Sequence, residues 1–175
     1  ATTGQPIAFP GETPVAGCVY ENLYSFGSRS FTIWDTSTGR AVFDSGSDIE
    51  RITAQQLGAF NASNDSNDGD DRSDDKGPEP EAVEIASIKS NTFAYIALER
   101  VGGVMVYNIT NPQNAQFVQY INPRDFTVAD GVVEDNMAGL LGPEDLKFIT
   151  QDDDMYLLVS NEVSGTLSVY SVTYL

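Results

Sequence analysis

Apolar and polar residues alternate along most of the chain with the period of two that is typical of half-buried β-strands. Two stretches, Gly77–Thr110 and Gly142–Thr173, follow one plan. Each begins Gly-Pro-Glu and continues through a short apolar strand, a turn, an apolar strand ending near a glutamate, a glycine turn, and a strand closing on Val-Tyr. A repeat of about 60 residues with only strand signals is typical of a β-propeller or a similar array. One such unit cannot bury its own apolar faces, so the units must stack.

A third, more diverged copy precedes these two, over Val19–Asp44. Its Ile33-Trp34-Asp35 corresponds to Val106-Tyr107-Asn108, so Trp34 and Tyr107 are predicted to be core aromatic residues. We therefore predict an all-β fold: a partial β-propeller of about three blades of antiparallel strands over residues 19–175, with an extended arm over residues 1–18. Because exposed strand edges are templates for association, the expected partners are other propeller blades or copies of the same chain.

Two stretches depart from the strand pattern. Asp48–Phe60 has roughly helical spacing of its apolar residues, with Ser47 or Asp48 as a candidate cap, and predicts one short surface helix. Residues 61–80 form an acidic loop with almost no apolar residues, whose composition alone is typical of disorder. Loops this long within a compact domain are usually functional or mobile.

The composition excludes several functions. The chain has 26 acidic and 9 basic residues, a net charge of −17, which argues against nucleic-acid binding and against anionic membrane surfaces. No apolar run is long enough for a membrane span, so no direct membrane insertion is expected. There is no histidine, and the single cysteine, Cys18, cannot form an internal disulfide. Cys18 is either a small core residue or bonded to a partner segment.

The acidic loop is the first candidate metal site, because calcium takes six to eight oxygen ligands from closely spaced carboxylates, amides and carbonyls. Counted from Asn64, the loop loosely follows a calcium-loop pattern with Gly69 at the sharp turn. The alternative is a solvated, flexible loop. Asp152-Asp153-Asp154 is predicted to be a polar hairpin turn, with calcium binding as the minor alternative. The candidate calcium ligands of the loop are Asn64, Asp68, Asp70, Asp71, Asp74, Asp75 and Glu79.

Four further glutamates lie at equivalent places of the repeats: Glu81, Glu99, Glu144 and Glu162. In a propeller, the loops that enter the innermost strands gather near the central channel, so these side chains would face it and hold a metal or a polar ligand. They could instead accept backbone hydrogen bonds in a repeated turn. Asn-x-Ser/Thr sequons at Asn61, Asn64 and Asn108 are candidate glycosylation sites if the source is eukaryotic.

Several long motifs resemble the C-terminal part of the choice-of-anchor I family, which is related to the mesenchyme-specific cell surface glycoprotein. They are LYSFGSRSFTIWDTSTGRAVFDSG, RSDDKGPEPE, ALERVGGVMVYNITNP, VQYINPRDF, GPEDLKFI and SNEVSGTLSVY. The resemblance covers about residues 19–173 and implies a β-propeller, usually of about seven blades, in a secreted or cell-surface protein. It transfers no catalytic residue.

Two functions remain. The first is an extracellular, calcium-binding structural or interaction module of a surface or matrix protein, without enzymatic activity of this chain alone. The second is part of a calcium-dependent phosphoesterase similar to alkaline phosphatase or phytase-like propellers. In that case a metal would position the attacking water. Its ligands or base would be Asp74, Asp75, Glu79, Glu81 and Glu144, and phosphate would be held by Arg72, Lys76, Arg100 and Lys147.

Overall fold

The computed structural model describes residues 29–129 and 138–174. Nine strands and one helix follow in chain order: β1 (Thr32–Asp35), β2 (Arg40–Asp44), α1 (Asp48–Gln56), β3 (Pro80–Ile88), β4 (Asn91–Leu98), β5 (Val104–Asn108), β6 (Gln116–Ile121), β7 (Pro143–Gln151), β8 (Asp154–Asn161) and β9 (Thr166–Ser171). The helix begins at Asp48 as predicted and ends four residues earlier than predicted.

The strands form three antiparallel sheets in which each strand pairs with its neighbours in sequence. Sheet A contains β1 and β2, sheet B contains β3 to β6, and sheet C contains β7 to β9. The three sheets do not close into a barrel within the described residues. The prediction of an all-β chain built from about three blades of antiparallel strands is therefore confirmed. The arm, Cys18 and the start of the first unit lie outside the described residues.

The hairpins that open sheets B and C share a two-residue turn with a left-handed first residue. Lys89 has φ 54° between β3 and β4, and Asp152 has φ 56° between β7 and β8. Such a turn matches the right-handed twist of the strands it joins. The Asp152-Asp153 segment is thus a polar hairpin turn, as the sequence predicts.

Sheet B lies between the other two. On one side, Ala94, Ile96, Leu98, Met105 and Tyr107 pack against Phe31, Ile33 and Phe43 of sheet A and against Ile49 and Ile52 of α1. On the other side, Phe93, Tyr95, Ala97, Val104 and Val106 pack against Leu146, Leu157 and Val159 of sheet C. The two central strands of sheet B, β4 and β5, therefore bury both faces, which is why they are continuous apolar runs and not alternating ones.

The two predicted core aromatic residues differ in their surroundings. Tyr107 is fully buried and makes edge contacts with Phe31 and Phe117. Trp34 is 59% exposed, so its prediction as a core residue is wrong. The physical reason is that Trp34 lies on the face of sheet A that points away from sheet B, where the described residues provide no further sheet.

Candidate functional site: an acidic cluster shared by two sheets

A β-bulge begins the first strand of both sheet B and sheet C. Pro80 is paired with Leu98, and the next pair is Ala82 with Ala97, so that Glu81 is the extra residue. Glu144 is skipped in the same way between Pro143 and Asp145. A bulge leaves its extra residue outside the ladder and re-aims its side chain. The two repeats therefore place Glu81 and Glu144 at the same edge of successive sheets.

Glu99 and Glu162 follow the second strand of each sheet and mark the same edge. The backbone N–H of Glu99 donates to the carbonyl of Glu79 at 2.9 Å, and the N–H of Glu162 donates to the carbonyl of Gly142 at 2.7 Å. Structurally, Glu79–Glu81 therefore corresponds to Gly142–Glu144. This shifts the sequence alignment of the two Gly-Pro-Glu segments by two residues.

The five glutamates converge at the junction of sheets B and C. One carboxylate oxygen from each of Glu79, Glu81 and Glu99 lies within 4.8 Å of the others, and the same holds for Glu99, Glu144 and Glu162. Glu99 belongs to both groups and is only 5% exposed, whereas Glu81, Glu144 and Glu162 are exposed. We call these five residues the acidic cluster.

Two basic side chains neutralise one member of the acidic cluster. Glu79 pairs with Lys76 and, at 2.5 Å, with Nε of Arg100. Burial of Glu79 would raise its pKa, but the hydrogen bonds from Lys76 and Arg100 outweigh burial and lower that pKa below its usual value. Arg100 also reaches Oε1 of Glu99 at 3.1 Å. Within the described residues, no basic side chain lies at ion-pair distance from Glu144 or Glu162.

Glu99 carries the strongest perturbation of the acidic cluster. Burial, followed by its contacts with Glu79 and Glu81, raises the pKa of Glu99 to about 8, against the opposing charge of Arg100. The pKa of Glu144 is also raised, by burial and by the charges of Glu81 and Glu162. A cation placed among these carboxylates would offset the repulsion that adds to burial in raising both pKa values.

Two residues of the acidic loop lie at the acidic cluster: Glu79 is one of its members, and Asn64 contacts Glu99. Nδ2 of the buried Asn64 donates to Oε1 of Glu99 at 3.1 Å. Of the predicted loop ligands, the structure thus brings Asn64 and Glu79 to the cluster. Asp70 instead accepts from the Ser73 hydroxyl, and Asp75 pairs with Arg72 at 2.8 Å. Within the described residues, neither carboxylate triad includes Asp68, Asp70, Asp71, Asp74 or Asp75.

Two arginines from outside the loop hold its backbone in place. Nη1 and Nη2 of Arg124 donate to the carbonyls of Ser63 and Ser66, each at 2.7 Å, and Nε donates to Oδ1 of Asn67 at 2.9 Å. Arg29 donates to the carbonyls of Ser73 and Asp75 at 2.6 and 3.1 Å. The guanidinium groups therefore satisfy loop carbonyls of the kind that calcium would otherwise take. Sequence reasoning missed both arginines, since nothing local connects them to the loop.

The three sequons differ in accessibility. Asn61 is fully buried, and its amide nitrogen donates to Glu50 and to Ser73, both at 3.0 Å. The amide nitrogen of Asn64 is engaged by Glu99. Asn108 is half-buried at the end of β5, where its Oδ1 accepts from the N–H of Thr110. A glycan on Asn61 or Asn64 would require the loop to rearrange, and one on Asn108 would not.

The basic residues considered for phosphate binding are each paired with a carboxylate. Arg72 pairs with Asp75, Lys76 and Arg100 pair with Glu79, and Lys147 pairs with Glu84 at 2.9 Å. The structure does not gather the four as one phosphate-binding group. The pattern favours an acidic, cation-binding edge over an anion-binding one.

Sequence comparison with known proteins identifies the family of this chain. The sequence profile of the choice-of-anchor I domain matches residues 11–112. Gigasin-3a from Magallana gigas is 27% identical over 166 residues, which cover 87% of this chain and 58% of that protein, so the chain spans less than two thirds of this relative's length. No solved structure matches the chain. Within the described residues, no helix is long and apolar enough to cross a membrane. The profile match and the relative indicate a surface-associated module, and the chain belongs to the choice-of-anchor I family.

Proposed function

We propose that this chain is an extracellular, calcium-binding structural and interaction module of a surface or matrix protein, and that it assembles with other blades or subunits. The observation that carries the calcium proposal is the meeting of Glu99, Glu144 and Glu162 from two sheets, with no basic side chain of the described residues at ion-pair distance from the latter two. Family membership supports the surface setting.

The donor chemistry favours calcium over transition metals. The acidic cluster offers hard carboxylate oxygens, and the chain contains no histidine and one cysteine. Three carboxylates, of which some can bind through both oxygens, together with water molecules reach the six to eight oxygens that calcium takes. Calcium also tolerates irregular geometry, which suits ligands contributed by one bulge, at Glu144, and two strand ends, at Glu99 and Glu162.

The location of the acidic cluster gives calcium a structural role. Glu99 directly follows β4 of sheet B, whereas Glu144 lies in β7 of sheet C and Glu162 directly follows β8 of sheet C. A cation bound by all three would tie the two sheets together at the edge where their negative charges repel each other. Calcium binding would therefore stabilise the packing of successive sheets, because the ion binds the folded arrangement and not the unfolded chain.

The test is isothermal titration calorimetry of the whole chain with calcium chloride. We expect the E144Q/E162Q variant to lose most of the binding that the wild-type chain shows. The D152N/D153N variant removes the same charge from the exposed turn at the opposite end of β7 and β8, and should bind as the wild type does. An equal loss of binding in both variants would mean that calcium affinity depends only on the net charge of the chain, and it would contradict a calcium site at Glu99, Glu144 and Glu162.

A third variant separates the acidic cluster from the acidic loop. D68N/D71N changes two exposed loop carboxylates that lie outside both triads. Retention of binding in this variant supports the cluster. Loss of binding in D68N/D71N with retention in E144Q/E162Q would move the calcium site to the loop.

A further inference from the structure

Asn64 contacts the acidic cluster through its amide nitrogen and not through its amide oxygen. Nδ2 lies 3.1 Å from Oε1 of Glu99 and donates a hydrogen bond to it. An amide binds calcium through its oxygen, whereas only its nitrogen can donate to a carboxylate. In this orientation Asn64 holds a candidate calcium ligand and is not itself one.

A closed ring of contacts fixes Asn64 and Glu99 relative to each other. Nη1 of Arg100 lies 3.1 Å from the oxygen of Glu99 that Asn64 contacts. The carbonyl of Arg100 accepts from Nη1 of Arg124 at 3.1 Å. The same Nη1 of Arg124 donates to the carbonyl of Ser63, the residue before Asn64, at 2.7 Å. The ring therefore runs from the acidic loop to the end of β4 and returns to the loop through Arg124.

Burial makes these contacts costly to lose. Ser63, Asn64, Glu99 and Arg124 are each between 5% and 8% exposed. Water cannot readily replace a donor that a buried carboxylate has lost, so the carboxylate is left unsatisfied or must turn away. Residues that contact metal ligands from outside in this way set the orientation of those ligands. The Asn64 amide therefore controls the orientation of the carboxylate that sheet B contributes to the triad of Glu99, Glu144 and Glu162.

The end of the acidic loop is fastened at the same place. The N–H of Glu99 donates to the carbonyl of Glu79 at 2.9 Å, and Arg100 pairs with the Glu79 carboxylate. Asn64 and Glu79 thus attach both ends of the segment 64–79 to Glu99 and Arg100. Loss of the Asn64 contact would release the first attachment and leave the second in place.

We propose that Asn64 is the positioning residue of the calcium site and that, through it, calcium binding and docking of the acidic loop stabilise each other. The inference rests on the proposed function, because it concerns the same cation. The amide and the cation need the Glu99 carboxylate in one orientation, so either of them fixes it for the other. Whatever the docked loop adds to calcium affinity, calcium must return to the docking of the loop, because linkage between two binding events is reciprocal.

The experiment compares the calcium affinity of N64A and N67A with that of the wild-type chain by isothermal titration calorimetry. Both variants remove one amide from the same loop, but Asn67 donates to the carbonyls of Asp125 and Val128 and not to the acidic cluster. N64A should lower calcium affinity by about 10- to 100-fold, which is typical for a lost partner of a metal ligand. N67A should leave the affinity unchanged.

Three further measurements separate positioning from a general loss of stability. In an E99A background, N64A should lower calcium affinity no further, because Asn64 acts through Glu99. N64L keeps nearly the shape of the asparagine side chain without its donor, and it should lose affinity as N64A does. Calcium should slow amide hydrogen exchange in residues 61–72 of the wild type and of N67A, but not of N64A. Far-UV circular dichroism checks that each variant is folded.

Four results would overturn the role of Asn64 while leaving the calcium site in place. They are wild-type affinity in N64A, an equal loss of affinity in N67A, a full effect of N64A in the E99A background, and slowing of exchange by calcium in N64A. A wild-type chain that binds no calcium would contradict the proposed function itself, and this inference with it. The two failures are therefore seen separately.

Discussion

Glu79 and Gly142 occupy the same position in successive repeats and share a left-handed backbone, with φ 54° and 65°. Glycine adopts this conformation without steric cost, whereas a glutamate there is strained. Sheet B accepts the strain where Glu79 gains ion pairs with Lys76 and Arg100. Sheet C has glycine at this position, and among the residues that the structure describes no basic side chain pairs with Glu144 or Glu162.

We expect Gly142→Ala to destabilise the fold strongly. A Cβ at this position would lie 2.8 Å from Cγ2 of Val163, in addition to the cost of the positive φ. Gly165→Ala is the matched control, because Gly165 has φ 62° and nothing within 4 Å of its added Cβ. Left-handed backbone costs an alanine about 1–2 kcal/mol, and overpacking adds about 1–3 kcal/mol. Urea unfolding should therefore show a larger loss for Gly142→Ala, and equal losses would contradict the clash.

The second prediction concerns pH and Glu99. Its pKa of about 8 in the folded chain exceeds the ordinary value of 4.5. The folded chain therefore holds this proton at pH values where the unfolded chain has released it. Proton binding by Glu99 therefore contributes to the free energy of unfolding in full below about pH 4.5, and this contribution is lost as the pH rises to about 8. In the presence of a chelator, thermal stability should fall across this window in the wild type and fall less in E99Q. Parallel curves for the two proteins would contradict the raised pKa.

The third prediction concerns Arg124. This buried side chain donates to the carbonyls of Ser63, Ser66 and Arg100 and to Oδ1 of Asn67. Lysine keeps the charge but cannot reproduce the planar fork of donors. Hydrogen bonds to a charged group contribute about 1.5–3 kcal/mol, so we expect R124K to lose at least ~2 kcal/mol of stability. Amide hydrogen exchange should accelerate in residues 61–80, while R51K, at an exposed site on α1, should leave it unchanged.

The fourth prediction concerns glycosylation. Expressed in a secreting eukaryotic host, the chain should carry a glycan at Asn108 and none at Asn61, because the Asn61 amide is buried and engaged by Glu50 and Ser73. Glycopeptide mass spectrometry of the wild type and of N108Q measures this directly. Full occupancy of Asn61 in folded, secreted protein would contradict the packing of the loop.

Local pattern predicted the strands, the short helix and the polar turn at Asp152, because each depends on neighbours in sequence. It also selected Glu81, Glu99, Glu144 and Glu162 as equivalent residues, since the repeat marks them. The two-residue offset between Glu79–Glu81 and Gly142–Glu144 was not predictable, because a bulge inserts a residue without changing the apolar pattern. The burial of Trp34 could not be predicted either, because it depends on whether another sheet packs on that face of sheet A. The order of the acidic loop depends on Arg29 and Arg124, which are distant in sequence.

Within the acidic cluster, the triad of Glu99, Glu144 and Glu162 takes one carboxylate from the sheet B side and two from the sheet C side, so it belongs to a junction and not to a blade. A stack of such blades would hold one cation for every contact between neighbours. An open row would then bind one ion fewer than its number of blades, whereas a closed wheel would bind as many ions as blades. Counting calcium per assembled particle would thus distinguish a row from a wheel without an image of either.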